Sequence, residues 1–150
     1  SAVGEVNVVE KMKACNAIIG GEGNGGIIYP ELHYGRDALI GVALFLTQLA
    51  ERKISAKTLR DSFPNYFISK NKMELTPEID VDAILSTLEQ KYKDEQITTI
   101  DGLKIDFEDG WVHLRRSNTE PIIRIYAESD TEEKADAFAQ KMIQEIKELL

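Results

Sequence analysis

Cysteine is nearly absent from this chain: Cys15 is the only one, so no internal disulfide is possible and a reducing compartment is expected. Histidine is almost as scarce. His33 and His113 stand isolated and read as structural residues, which argues against a zinc site; no metal ligands are expected in the chain. Long apolar runs are missing too. The longest, Ala38–Leu46, covers nine residues, against about 20 for a membrane span, so it reads as a buried helix. The opening Ser-Ala-Val-Gly-Glu has no basic stretch followed by an apolar core, and a cytoplasmic location is expected. Positive charge is in short supply, with 18 Lys+Arg against 26 Asp+Glu and a net charge of −8. That balance excludes a broad nucleic-acid or anionic-membrane surface, both of which need basic stripes.

What the chain does have is enough apolar material, 43% of 150 residues, for one ordinary domain or two small ones. Its halves differ. Residues 1–75 hold 9 Lys+Arg, 8 Asp+Glu and most of the glycines, whereas residues 76–150 hold 9 and 18. The polar stretch Ser69–Asp80, with Pro77 inside it, reads as the seam, giving domains 1–75 and 76–150. In the first half, Val6–Met12 reads as a helix, and Ala17–Gly20, Ile27–Tyr29 and Tyr66–Ile68 as short strands. Asp37 can cap a helix from Ala38 to Arg52 whose nearly all-round apolar surface implies burial between layers. A shorter helix starts at Ser55. In the second half Val81, Ile84, Leu85, Leu88 and Tyr92 follow helical spacing behind Asp80. Four strands follow: Gln96–Ile100, Leu103–Phe107, Trp111–Arg115 and Ile122–Ala127, with Asp101-Gly102 and Asp109-Gly110 as hairpin turns. Ser129 with Glu132 forms a capping box for a last helix whose apolar face runs from Ala135 to Leu150. The expected architecture is an α/β first part followed by a two-layer α+β domain, with a four-stranded antiparallel sheet and two helices.

Two loops carry chemistry. Gly20-Gly-Glu-Gly-Asn-Gly-Gly26 formally fits a dinucleotide fingerprint, but the strand and proline that follow, Ile27–Pro30, leave no helix N-terminus for a pyrophosphate. A protein-kinase glycine loop fails for want of its partner motifs. What the loop does offer is Glu22, a carboxylate suited to neighbouring sugar hydroxyls, with Asn24 beside it and glycines that let backbone approach a ligand. The alternative is a glycine-rich turn with an exposed Glu. The second loop, Arg115-Arg-Ser-Asn-Thr-Glu-Pro121, joins two strands and combines guanidinium forks with short neutral donors, the set that holds a phosphate dianion. Arg115, Arg116 and Arg124 lie within ten residues of an acidic half. The alternative pairs these arginines with carboxylates such as Glu120 and Glu128.

Together, in this order, the loops resemble those of the α-D-phosphohexomutases, the phosphoglucomutase/phosphomannomutase superfamily. The first resembles the sugar-binding loop of the family's third domain, and the second, with Ile-Ile-Arg124 after it, the phosphate-binding loop of its fourth. The resemblance spans essentially the whole chain and implies an incomplete αβα third domain followed by the fourth. It implies sugar contacts from Glu22, Gly23, Asn24 and Gly25 and phosphate contacts from Arg115, Ser117, Asn118, Thr119 and Arg124. It also implies an isomerase of carbohydrate metabolism, an intramolecular phosphotransferase interconverting hexose 1-phosphate and hexose 6-phosphate. A phosphoserine and a Mg²⁺ in the first two domains would do the group transfer, with hexose 1,6-bisphosphate as intermediate or activator. Neither a serine loop nor an aspartate-rich metal loop is found here, so the chain is expected to be a C-terminal fragment. It would contain no catalytic residue, be inactive alone, partner the N-terminal domains of its own enzyme, and be able to dimerise through an exposed sheet edge. Where many members have Ser-Gly-His in the sugar loop, this chain has Asn24, Gly25 and Gly26, which leaves glucose, mannose and glucosamine phosphates open. A non-catalytic phosphosugar-binding module and a purely structural interaction domain are the rival readings.

Overall fold

The computed structural model describes residues 1–76, 79–117 and 120–150. The chain divides into two compact units, Ser1–Pro64 and Asn65–Leu150. In the first, helix α1 (Glu5–Cys15) ends on Asn16, whose left-handed backbone lets its N–H reach the last turn. Three short strands follow, β1 (Gly20–Gly21), β2 (Ile27–Tyr29) and β3 (His33–Arg36), paired antiparallel in that order. Helix α2 (Ala38–Arg52) starts on Asp37, whose carboxylate accepts from the amides of Leu39 and Ile40. Helix α3 (Ala56–Asp61) starts on Ser55. The unit's core is small: Val8, Met12 and Ile28, with Val9 and Ala17 against them.

Two expectations for this half change. The first strand lies at Gly20–Gly21 rather than Ala17–Gly20, and β3 was not foreseen. More consequentially, α2 has no buried residue and Leu39 is 82% exposed: the burial that its apolar surface implies is not met, whereas the apolar exposure expected of an incomplete third-domain sheet is. Three strands of two to four residues present too little surface to cover a helix that is apolar on nearly all sides.

The second unit comprises β4 (Phe67–Glu74), helix α4 (Val81–Lys91), β5 (Gln96–Thr98), β6 (Leu103–Phe107), β7 (Gly110–Arg116), β8 (Ile122–Ser129) and helix α5 (Glu132–Glu148). Its antiparallel sheet has five strands in the order β4-β8-β7-β6-β5, not four. The added strand is β4, which pairs with β8 from Phe67↔Ser129 to Glu74↔Ile122. The first half of the stretch read as the seam, Ser69–Glu74, is thus strand, and the compact units part between Pro64 and Asn65. β4 looks polar because its partners supply the apolar surface: hydrogen-bond pairing, not hydrophobic alternation, makes it a strand.

Alternation fixes the faces of this sheet. Leu103, Ile105, Val112, Leu114, Ile123, Ile125 and Ala127 turn inward and pack with Ile84 and Leu88 of α4 and Ala139, Met142 and Ile146 of α5. Lys104, His113, Arg115, Arg124 and Tyr126 turn the other way. Gly102 (φ 74°) sits where an added Cβ would strike the Leu114 carbonyl, so the β5–β6 turn requires glycine. The cap of α5 is Thr131, which accepts from the Lys134 amide, and not Ser129. Ser129 is buried and donates its hydroxyl to the Asp109 carbonyl, which ties the β6–β7 turn to β8. Among the described residues no helix is long and apolar enough to cross a membrane.

The contrast between the two units gives a stability test. Ile125 is fully buried, and Ile125→Ala is expected to cost about 2–5 kcal/mol through lost transfer energy and a residual cavity. Leu39→Ala on exposed α2 should stay within about 0.5 kcal/mol. Urea unfolding followed by the single tryptophan, Trp111, and by circular dichroism measures both.

Candidate functional site

The pairing of β7 with β8 brings the phosphate-loop arginines together. Arg115 and Arg124 are direct cross-strand partners at the mouth of the loop, on the face away from the helices. Among the described residues each has a carboxylate neighbour. Arg115 Nη1 lies 3.2 Å from Asp101 Oδ2, and Arg124 Nη2 lies 3.7 Å from Glu120 Oε2, beyond a normal hydrogen bond. Glu128, the other carboxylate considered for them, accepts instead from Trp111 Nε1 at 2.9 Å. Since a guanidinium has about five N–H donors in a planar fork, one carboxylate contact leaves ample capacity for an anion. Asp101 is itself held in place, because His113 Nε2 donates to its carbonyl.

The other loop residues divide. Ser117 is buried, and its amide donates to the Ile122 carbonyl at 3.0 Å, closing the loop onto β8. Asn118 and Thr119 lie outside the described residues. Arg116 pairs with Ile123, whose side chain faces the core, so its strand parity is opposite to that of Arg115; it is exposed at the strand end.

The glycine loop is a self-tied turn in the first unit. Glu22 N–H donates to the Gly26 carbonyl at 3.2 Å, and Gly25, at φ 88°, donates to the Glu22 carbonyl at 3.1 Å. Asn24 bridges the turn, donating to Glu22 Oε2 at 3.1 Å and accepting from Gly26 N–H at 2.9 Å. Glu22 Oε1 accepts from Gly4 N–H at 2.8 Å. An open groove of about 660 Å³ adjoins this turn and is lined by Asn24, Gly25, Arg36, Glu5 and Asp37, among others. Glu22 and Gly23 are not part of its lining. Arg36 and Glu5 are additions to the residues expected here: Arg36 Nε meets Glu5 Oε2 at 2.8 Å across 31 positions of sequence. A cation in a nearly neutral half, directly before a helix cap, was the one sequence signal for Arg36.

Asp37 does more than cap α2. Its Oδ2 lies 3.2 Å from His33 Nε2, four residues earlier, so His33 is not isolated. The bonds from the backbone of α2, chiefly Ile40, and the His33 contact hold the Asp37 carboxyl below the usual carboxylate range. A depressed carboxylate stabilises the fold above its ordinary pKa, and that contribution is lost as pH falls through the lower folded value. The helical circular-dichroism signal of the wild type should therefore become less resistant to urea as the pH drops below about 4. In Asp37→Asn that part of the pH dependence should disappear.

An α/β unit with a glycine turn and an α+β unit with paired arginines at a strand connection define the class of this protein by its architecture. Comparison with known sequences gives that class a lineage. Sequence models of the phosphoglucomutase/phosphomannomutase alpha/beta/alpha domain III and C-terminal domain match residues 1–66 and 71–145, and the chain belongs to that family. It is 37% identical over 99% of its length to a phosphoglucosamine/phosphogalactosamine mutase of Sulfurisphaera tokodaii. It is 38% identical, over the same share, to a phosphoglucomutase/phosphomannomutase of Thermococcus kodakarensis. In each case it spans 32% of the relative's length. A crystal structure of a phosphoglucomutase/phosphomannomutase family protein from Burkholderia thailandensis shares the fold, with a TM-score of 0.74 and 24% identity over 97% of this chain and 31% of that one.

Proposed function

We propose that this chain supplies hexose and phosphate recognition to a phosphohexomutase that interconverts hexose 1-phosphate and hexose 6-phosphate. The observation that carries this reading is the direct cross-strand pairing of Arg115 with Arg124 beside the 117–121 loop, in a unit otherwise rich in carboxylates. Like charges placed opposite each other disfavour a sheet, and a bound phosphate dianion relieves that repulsion. The glycine turn supplies the other half. A carboxylate has about four acceptor positions; Glu22 uses two, on Gly4 and Asn24, and the others can accept from adjacent sugar hydroxyls. Holding a hydroxyl group or a non-reacting phosphate in place supplies positioning, which is most of what phosphoryl transfer asks of a protein.

Mg²⁺ is the metal this chemistry would use in the whole enzyme, to neutralise charge on the transferring phosphoryl group. Among the described residues no three or more His, Cys, Asp or Glu side chains gather in a way that could hold a metal ion. Those residues do not form a site for it. The chain alone is proposed to bind without turnover.

The sugar is either a neutral hexose, glucose or mannose, or an amino sugar. The names of the two relatives include both kinds. Competition of glucose, mannose and glucosamine 6-phosphates for the full chain decides between them: an amino-sugar enzyme should favour glucosamine 6-phosphate, whose ammonium suits the Glu22 carboxylate. Arg115→Ala should weaken hexose-phosphate binding by about 1.5–3 kcal/mol, and Arg116→Ala should change it little. Calorimetric titration showing the reverse order would contradict the assignment.

A further inference from the structure

The row of cations does not end at Arg124. On one side Arg124 faces Arg115 of β7; on the other it faces Lys72 of β4. Three like charges therefore stand in one transverse row across adjacent strands, on the face opposite the helix-packed core. Cross-strand like charges are unfavourable in themselves, and this unit has 19 acidic against 11 basic residues with which to avoid them. Arg115 has Asp101 and Arg124 has Glu120 nearby. Lys72 is exposed and has no ion pair or hydrogen bond among the described residues. Lys70, one row away, lies over the Tyr126 ring at 5.8 Å, so Lys72 alone on β4 presents an unengaged ammonium to this row.

We propose that Lys72 is a phosphate-contacting residue, the third cation of the site formed by Arg115 and Arg124. This rests on the phosphate-recognition reading above and adds β4 to it. Adjacent strands are about 4.8 Å apart, so the backbones of Arg115 and Lys72 stand about 10 Å apart with Arg124 between them. Two long side chains converging over the middle strand can reach one phosphate group. The arginines provide planar forks, and the lysine adds a compact charge with rotatable donors.

The test titrates the full 150-residue chain with inorganic phosphate and with glucose 6-phosphate at two salt concentrations. Lys72→Ala should weaken both ligands about five- to tenfold at low salt, and less at high salt. Lys72→Arg should keep most of the affinity, and Lys147→Ala, which removes a charge from α5, should change nothing. Unaltered circular dichroism in Lys72→Ala shows that the strand is intact, and rescue by Lys72→Arg makes the same point if it is not. If Arg115→Ala loses affinity while Lys72→Ala matches the wild type, the role of Lys72 is overturned and the loop reading stands. If neither substitution alters binding, or the wild type binds neither ligand, both fall together.

Discussion

The register of β7 against β8 is the constraint from which the second unit follows. Leu114 faces Ile125 and, one position on, Arg115 faces Arg124. The first pair lies at zero exposure in the core, and the second opens to the other face. A slip by one residue would exchange their positions, exposing the apolar set and forcing guanidinium groups toward Met142 and Ile146 of α5. Burying an unpaired charge costs several kcal/mol, so core and site enforce the same alignment. Where the two strands meet the connection, Ser117 N–H and the Ile122 carbonyl clasp the end of β7 to the start of β8.

Much of this was legible in the residues. Alternation along 111–115 and 122–127, and the apolar stripe of α5, announce a sheet with helices on one face. The arginines grouped in acidic surroundings do come together, Arg115 opposite Arg124. Only the first residues of β4 were legible, in the strand read at Tyr66–Ile68; Ser69, Lys70, Asn71 and Lys72 look like a linker, and pairing with β8 reveals them as strand. Ser129 and Thr131 are equally good caps in sequence, and the choice falls to Thr131 because the Ser129 hydroxyl is drawn to Asp109. Arg36 and Glu5 escaped notice for a related reason: each is an ordinary surface charge until folding joins them.

The first unit is organised differently. Its core is the contact of α1 with β2, through Val8, Met12 and Ile28, and its site is a turn held by its own hydrogen bonds. Glu22 illustrates the economy of such turns. Its carboxylate fixes both Gly4 and Asn24, and the same side chain is the one proposed to meet sugar hydroxyls. The apolar character of α2 predicts burial correctly only where enough sheet is present to cover it, and β1–β3 are too short.

The central claim is that the Arg115–Arg124 face of the second unit receives phosphate while the glycine turn of the first receives the sugar. Amide chemical-shift mapping of the isotope-labelled chain tests it most directly. Inorganic phosphate should shift resonances of Arg115–Ser117 and Glu120–Arg124 and leave Gly20–Gly26 unmoved, whereas a hexose 6-phosphate should shift both sets. Phosphate-induced shifts centred on the glycine turn, or scattered over surface lysines with no focus at Arg115 and Arg124, would contradict the account.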